Sequence, residues 1–228
     1  NLLLAALPAR DRKVLLAAAE PIDIEFGQIL CEPGTSYRHL YFPLTGFVSL
    51  VTTVTGHRPL EMGLIGSEGM LGATLALGVT AVPLRGIVQG SGTALRFGVR
   101  QFQALITEHP ALHRMLDRYV YVLMSQLART AACTRFHDVD RRLARWLLMT
   151  HDRAHADHFQ MTHQFLADML GVRRSGVTLA AGRMQADGLI GYSRGDIRIL
   201  DRIGLEAVSC TCYAEVLDDY SAVLPVPS

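Results

Sequence analysis

Thr162-His-Gln-Phe-Leu-Ala-Asp-Met-Leu-Gly171-Val-Arg-Arg-Ser-Gly-Val177 is the stretch on which the reading of this 228-residue chain turns. Thr162 is a good N-cap, because its hydroxyl can accept from an amide left free in the first turn of a helix. Phe165, Leu166, Met169 and Leu170 then fall on one face at helical spacing. Gly171 punctuates the pattern, and Val172 gives the turn an apolar residue. Arg173-Arg174-Ser175 open a second helix that runs to about Asp187, with Val177, Ala181 and Met184 on its inward side. Two short helices joined through a glycine turn predict a helix-turn-helix. In such a unit the second helix enters the major groove, and its N-terminal side chains meet base edges.

Downstream the pattern continues to fit. Arg173, Arg174, Ser175 and Thr178 lie in the first exposed turn and a half of the second helix. An arginine there can pair with guanine O6 and N7 or with a phosphate. Helix N-termini and hydroxyls add phosphate contacts. Gly176, Ala180 and Gly182 are small enough to allow close approach. Gly188 stops the helix. Tyr192-Ser193, a turn at Arg194-Gly195-Asp196, and Ile197-Arg198-Ile199-Leu200 read as a two-stranded wing, with Arg194 at the tip in reach of a phosphate. From Gly171 to Arg202 there are six Arg against three Asp, so the segment is locally basic. A helical hairpin that only packs is the bland alternative. The glycine turn, the Arg-rich helix start and the wing together favour DNA binding.

Upstream, Val139–Thr150 is a further helix with Leu143, Trp146 and Leu147 on its apolar face, and His151–His158 is a polar linker. His151, His155 and His158 beside Asp157 have metal-like spacing, but a polar linker explains them more simply. Pro110 fits the first turn of a long helix reaching about Thr134. Leu112, Leu116, Tyr119, Leu123 and Leu127, thickened by Met115 and Met124 and extended by Ala128 and Ala131, form a stripe suited to a coiled-coil-like dimer seam. Val99–Thr107 is a short helix. Between Ile22 and Phe97 recurrent glycines separate β-rich runs at Ile22–Ile24, His39–Phe42, Phe47–Val54, Leu60–Ile65 and Gly86–Gln89, predicting an antiparallel sandwich or barrel. Leu2 to about Ala19 reads as helix with a break near Pro8.

Bulk properties narrow the function classes. Half the residues are hydrophobic and 19% are charged, enough for a real core. The formal net charge is only +1, so a DNA-binding signal must be local. Lys13 is the sole lysine, and Arg suits bidentate recognition. Cys31, Cys133, Cys210 and Cys212 are too sparse for a disulfide scaffold. Cys210-Thr-Cys212 alone is short of a closed metal site, so no metal ligand is assigned. No purely apolar run is long enough for a membrane span. Asn1–Leu7 makes a poor signal peptide, and the cytoplasm is the expected location. There is no nucleophile–base pairing, no G-x-x-x-x-G-K loop and no H-E-x-x-H helix, so no catalytic residue is assigned and an enzyme is not expected.

A Gly-rich β domain, a long apolar-striped helix and a C-terminal winged helix, in that order, resemble the Crp/Fnr family of bacterial regulators over nearly the whole chain. The resemblance is most specific at Thr162–Val177 and at Met184-Gln-Ala-Asp-Gly-Leu-Ile190. Gly27-Gln-Ile-Leu-Cys-Glu-Pro-Gly34 and Phe97–Ile106 support it in the β domain. It implies an α+β architecture: an N-terminal β-roll (a cyclic-nucleotide-binding-like jelly roll) with flanking helices over 1–107, a dimerisation helix over 108–136, and a winged helix-turn-helix with a C-terminal tail over 137–228. It also implies a homodimer on a near-palindromic double-stranded operator, an effector bound in the β-roll, and RNA polymerase as a partner. Arg174 matches the family's base-contacting arginine, Thr162 a phosphate-contacting position and His163 a neighbouring backbone contact. Ser175 stands where many members carry a glutamate that accepts from cytosine, and Leu179 replaces an arginine of some members.

The effector pocket departs from the family pattern. Members that bind cyclic nucleotides carry a Gly-Glu pair and then Arg-Ser/Thr-Ala. Here Ala73 follows the matching Gly72, Glu68 is displaced, and Arg85 lacks its hydroxyl neighbour. Glu68, Gly72 and Arg85 are thus the effector-site candidates, with a degenerate motif for a cyclic nucleotide. An iron–sulfur cluster needs several thiolates, and none precedes Cys31. His39 and His57 are more simply surface or core residues than haem ligands. The competing function is a ligand sensor whose winged helix makes protein–protein contacts.

Overall fold

The computed structural model describes residues 1–154 and 156–224. Pro8 divides the opening helical run into α1 (Leu2–Ala5) and α2 (Ala9–Ala18). Asn1 caps α1 by accepting from the amides of Leu3 and Leu4. Seven strands follow: β1 (Glu20–Ile24), β2 (Ile29–Cys31), β3 (His39–Pro43), β4 (Phe47–Thr52), β5 (Leu60–Ile65), β6 (Arg85–Gly90) and β7 (Gly92–Gly98). They build two antiparallel sheets, ordered β1-β7-β3 and β2-β6-β4-β5. A 3-10 turn at Ala73–Leu77 crosses between β5 and β6. The result is the β-roll expected from the sequence, with β2 and β7 added to the five strands predicted there.

The space between the sheets is filled from within. Ile24, Tyr37, Tyr41, Val48, Ile65, Leu71 and Val88 pack there as one buried cluster. Gly46 makes the β3–β4 turn possible. Its φ is +71°, and a Cβ would stand 2.3 Å from the Gly90 carbonyl oxygen, so any side chain would clash with backbone that cannot yield.

Helix α3 (Val99–Glu108) leads into α4 (Pro110–Phe136), which has Pro at its start as predicted and runs two residues past the predicted end. Its first half is buried within the chain. Leu112, Met115, Leu116 and Tyr119 join Phe42, Phe97 and Phe102 in one core. This corrects the first half of the predicted seam, because the β-roll covers those positions, and leaves its later members open. Tyr121 and Met124 are exposed, and so are Ala128 and Ala131. That outer row repeats at intervals of three and four residues, the spacing of a helix-pairing seam.

Helix α5 (Val139–Ala154) extends four residues into the predicted linker, and β8 (His158–Gln160) occupies its far end. The head then comprises α6 (His163–Leu170), α7 (Arg174–Ala186), β9 (Ile190–Ser193) and β10 (Asp196–Ile199). The predicted wing has three strands, ordered β8-β10-β9. Two helices unforeseen in the sequence close the chain: α8 (Arg202–Val208) and α9 (Cys212–Val223). Helix α9 lies back along α4. Arg129 holds it through Glu215 and Asp219, and Ser125 donates to Asp219 at 2.5 Å.

The head docks on β5. Phe47 and Leu64 of the β-roll belong to the core cluster of the head, together with Trp146, Leu166 and Val177. Buried Glu61 of β5 accepts from Ser49 Oγ at 2.6 Å and from Trp146 Nε1 at 2.8 Å. Burial pushes its carboxyl from an ordinary 4.5 up to about 7, against the downward pull of these two bonds. The folded state therefore holds a proton that the unfolded chain releases between those values. Stability should be complete below about pH 4.5 and fall as pH rises through 7. The full shift corresponds to a loss on the order of 3 kcal/mol. Denaturant melts from pH 5 to 8 should show this slope in the native protein and a flatter one in Glu61→Gln. Parallel slopes would rule Glu61 out as the titrating group.

Candidate nucleic-acid interface

Three local features assemble one surface. Thr162 caps α6, its Oγ1 accepting from the Phe165 amide at 3.1 Å, as the sequence predicts. Gly171 ends the helix at φ +63°, where its amide reaches the carbonyls of Ala167 and Asp168. The turn delivers α7 with Arg173 at its N-cap, and Val177, Ala180, Ala181 and Met184 turned inward. Arg173, Arg174, Ser175 and Thr178 all face outward. Leu179 is 62% exposed beside them, an apolar group suited to a thymine methyl.

The wing tip abuts α6. Arg194 (φ +50°) and Gly195 (φ +87°) form a turn in which two consecutive residues have positive φ, and this closes β9 onto β10. The Met161 amide donates to the Gly195 carbonyl, which sets Arg194 next to the Thr162 cap. His163 joins the parts. Its ring stacks on Tyr192 of the wing at 4.1 Å between centroids, and its Nδ1 lies 3.0 Å from Thr178 Oγ1. Thr178 donates its hydroxyl to the Arg174 carbonyl at 3.1 Å. It must therefore accept from His163, which fixes the proton on Nδ1. Desolvation, with Arg174 adding to it, lowers the His163 pKa and favours this neutral ring. His163 thus stands as a brace for Thr178, while the sequence assigns it to the DNA backbone.

Charge pairing separates structural arginines from free ones. Arg183 pairs with Asp140, Arg202 with Asp152 and Glu206, and Arg58 of the β4–β5 loop with Asp168. Among the described residues, no carboxylate lies within salt-bridge distance of Arg173, Arg174, Arg194 or Arg198. The surface made by the α7 N-terminus, the Thr162 cap and the wing tip is therefore cationic and uncompensated, the requirement for phosphate contact.

The effector candidates have other partners. Glu68 accepts from Arg153 Nε at 2.8 Å and from the Gly66 amide at 3.1 Å, joining the β-roll to α5. Arg85 pairs with Glu32 at 2.9 Å. A Cβ at Gly72, whose φ is +100°, would meet Leu40 at 2.4 Å, so that glycine serves packing. Of the linker histidines, His151 bonds Asp157 and Arg202, at 2.9 and 2.6 Å. His158 lies in β8, and His155 lies outside the described residues.

One constellation escapes the sequence reading. Cys133 and His137 at the end of α4 meet Cys210 and Cys212 at the start of α9, with all four donor atoms within 4.8 Å of one another. The sequence assigns no metal ligand because Cys210-Thr-Cys212 is incomplete alone. Cys133-x-x-x-His137, which places two donors one turn apart at a helix end, was the overlooked signal.

Residues 141–208 match the family model for the Crp-like helix-turn-helix domain. No curated protein matches the chain. Among solved structures the fold is similar to a CRP/FNR-family transcriptional regulator from Thermus thermophilus, with TM-score 0.68, 21% identity, and 83% of this chain and 98% of that one covered. It is similar to the c-di-GMP-responsive global regulator CLP of Xanthomonas campestris, with TM-score 0.68, 19% identity and coverage of 84% and 99%. FixK2 of Bradyrhizobium japonicum gives TM-score 0.69, 14% identity and coverage of 84% and 98%.

Proposed function

We propose that this chain is a DNA-binding transcription regulator of the Crp/Fnr family, a reading supported by its Crp-like helix-turn-helix and its fold, and that it grips a near-palindromic duplex as a homodimer and is switched through its β-roll. The observation that carries the DNA reading is the unpaired cluster of Arg173, Arg174 and Arg194 around the open start of α7. Arg174, Ser175 and Leu179 read base edges; Thr162, Arg173 and Arg194 hold phosphates; His163 braces Thr178.

Dimerisation follows from the outer row of α4. Tyr121, Met124, Ala128 and Ala131 form an exposed, largely apolar face with coiled-coil spacing, outside the buried β-roll core. A twofold axis along that face would set two recognition helices on half-sites about one helical turn apart. The effector acts where the β-roll meets the head, through β5, Glu61 and Glu68. A cavity of about 420 Å³ opens at this contact, between His57, Arg58 and Leu60 on one side and Ala167, Gly171 and Val172 on the other. RNA polymerase is the downstream partner.

The test is selection of bound duplexes from a random pool, followed by gel shift across a salt series. A near-palindromic motif and steep loss of affinity with salt are expected. Absence of sequence preference in every ligand state would sink the DNA reading. Met124→Arg should sediment as a monomer with an unchanged circular dichroism spectrum and weak operator binding. A dimer surviving that change would move the interface elsewhere.

A further inference from the structure

We infer that Cys133, His137, Cys210 and Cys212 form a structural zinc site that fastens the base of the reading head to the end of the long helix. Cys133 Sγ lies 3.6 Å from Cys210 Sγ, and Cys212 Sγ lies 3.7 Å from His137 Nδ1. A tetrahedral zinc with Zn–S bonds of about 2.3 Å and Zn–N of about 2.0 Å has donor–donor edges of roughly 3.5–3.8 Å. Two of the six donor pairs already stand at those separations, and all four atoms lie within 4.8 Å of one another.

The donor set points to the same ion. Three thiolates and one imidazole are a closed structural zinc set, and soft sulfur ligands disfavour magnesium and calcium. A cubane iron–sulfur cluster gives each thiolate its own iron and would spread the donors farther apart. Cys133, Cys210 and Cys212 are buried and form a small cluster of their own. Cys31, the remaining cysteine, is apart on β2.

The surroundings suit the charge. Zinc with three thiolates and a neutral histidine carries a net charge of −1. Arg142 and Arg145 are both buried, and among the described residues neither has a salt bridge. Arg145 donates to Thr130 Oγ1 at 3.2 Å, while its buried Nε has no hydrogen-bond partner. A buried guanidinium without a carboxylate is costly unless another anion compensates it, and the thiolate centre is that anion.

Topology gives the site its purpose. Cys133 occupies the last turn of α4 and His137 is its C-cap, whose amide donates to the Cys133 carbonyl at 3.1 Å. Cys210 and Cys212 stand where α8 passes into α9. The helix-turn-helix domain lies entirely between these two pairs. One metal therefore closes that domain at its base and fixes the short His137-Asp138 connection between α4 and α5. The inference stands apart from the DNA reading, since it predicts metal binding whether or not the head binds duplex.

The full chain, purified under reducing conditions, should contain one zinc per chain by mass spectrometry of its metals. After chelation it should melt at a lower temperature, and one equivalent of zinc should restore it. Cobalt added to the stripped protein should give thiolate charge-transfer absorption and intense visible bands of a tetrahedral centre, bleached by zinc. Cys212→Ser should lose metal affinity at least tenfold, whereas Cys31→Ser should keep the full metal content. Cobalt spectra of the native protein decide the matter even if Cys212→Ser fails to fold. Fully reduced thiols that bind neither zinc nor cobalt, iron with inorganic sulfide in place of zinc, or a Cys133–Cys210 disulfide persisting in reducing buffer would each overturn the inference.

Discussion

Arg174→Ala is expected to weaken binding to the selected operator by about ten- to a hundredfold per half-site, while binding to random duplex changes little. A bidentate arginine–guanine contact contributes roughly 1–3 kcal/mol of discrimination. A homodimer would present Arg174 twice, so the loss on a symmetric site would approach the square of the single effect. The geometry favours this role because Arg174 opens α7 exposed and, among the described residues, without a carboxylate partner. Its backbone is also held, since the Arg174 carbonyl accepts from Thr178, which His163 orients in turn. Arg194→Ala should behave differently. At the tip of a turn beside the Thr162 cap it is proposed to hold a phosphate, so affinity should fall evenly on all duplexes, with the salt slope reduced by about one. Gel shifts of both variants on operator and random DNA separate the roles. Equal losses on both duplexes for both variants would contradict the assignment of Arg174 to bases.

Those residues were legible in sequence because local rules govern them. An N-cap, a glycine at the helix C-terminus and a 3.6-residue apolar period act within a turn or two, and α3, α4, α6 and α7 follow them closely. Non-local elements were not legible. Strand β8 has three residues and exists because β10 pairs with it across 196–198. Strand β7 hides as Gly92-Thr-Ala-Leu-Arg-Phe-Gly98, flanked by glycine, yet it is the centre of its sheet. Helix α9 is an unmarked tail until Arg129 meets Asp219 and Glu215. The stripe on α4 was correctly detected but assigned to one partner. In the fold its early half faces the β-roll, while its later members Met124, Ala128 and Ala131 stay open beside Tyr121. Periodicity reports that a face is apolar and leaves open what covers it. The four metal donors are the extreme case, since two pairs more than seventy residues apart converge only through the docking of α9 on α4.

Glu68 shows what that distinction costs, and its replacement carries the largest expected effect on stability. Next to a degenerate nucleotide motif it reads as an effector ligand, yet its carboxylate is bound to Arg153, a guanidinium 5% exposed at the junction of β-roll and head. Arg153 also donates to the Met149 carbonyl at 2.9 Å, which anchors it in α5 and prevents it from swinging to solvent. Glu68→Ala therefore leaves a buried cation without its anion, at a cost of roughly 3–5 kcal/mol. Glu68→Ala/Arg153→Met removes both charges and fills the space with a flexible apolar chain. The double variant should regain most of the lost stability, because breaking one half of a buried pair costs more than removing both. Urea unfolding of the native protein, the single variants and the double variant gives the coupling directly. If Glu68 instead serves an effector, the single variant should unfold like the native protein without ligand, and the double variant should show no recovery. A strong coupling would place Glu68 in the joint between the β-roll and the head, where the proposed effector signal would have to pass to move the recognition helices.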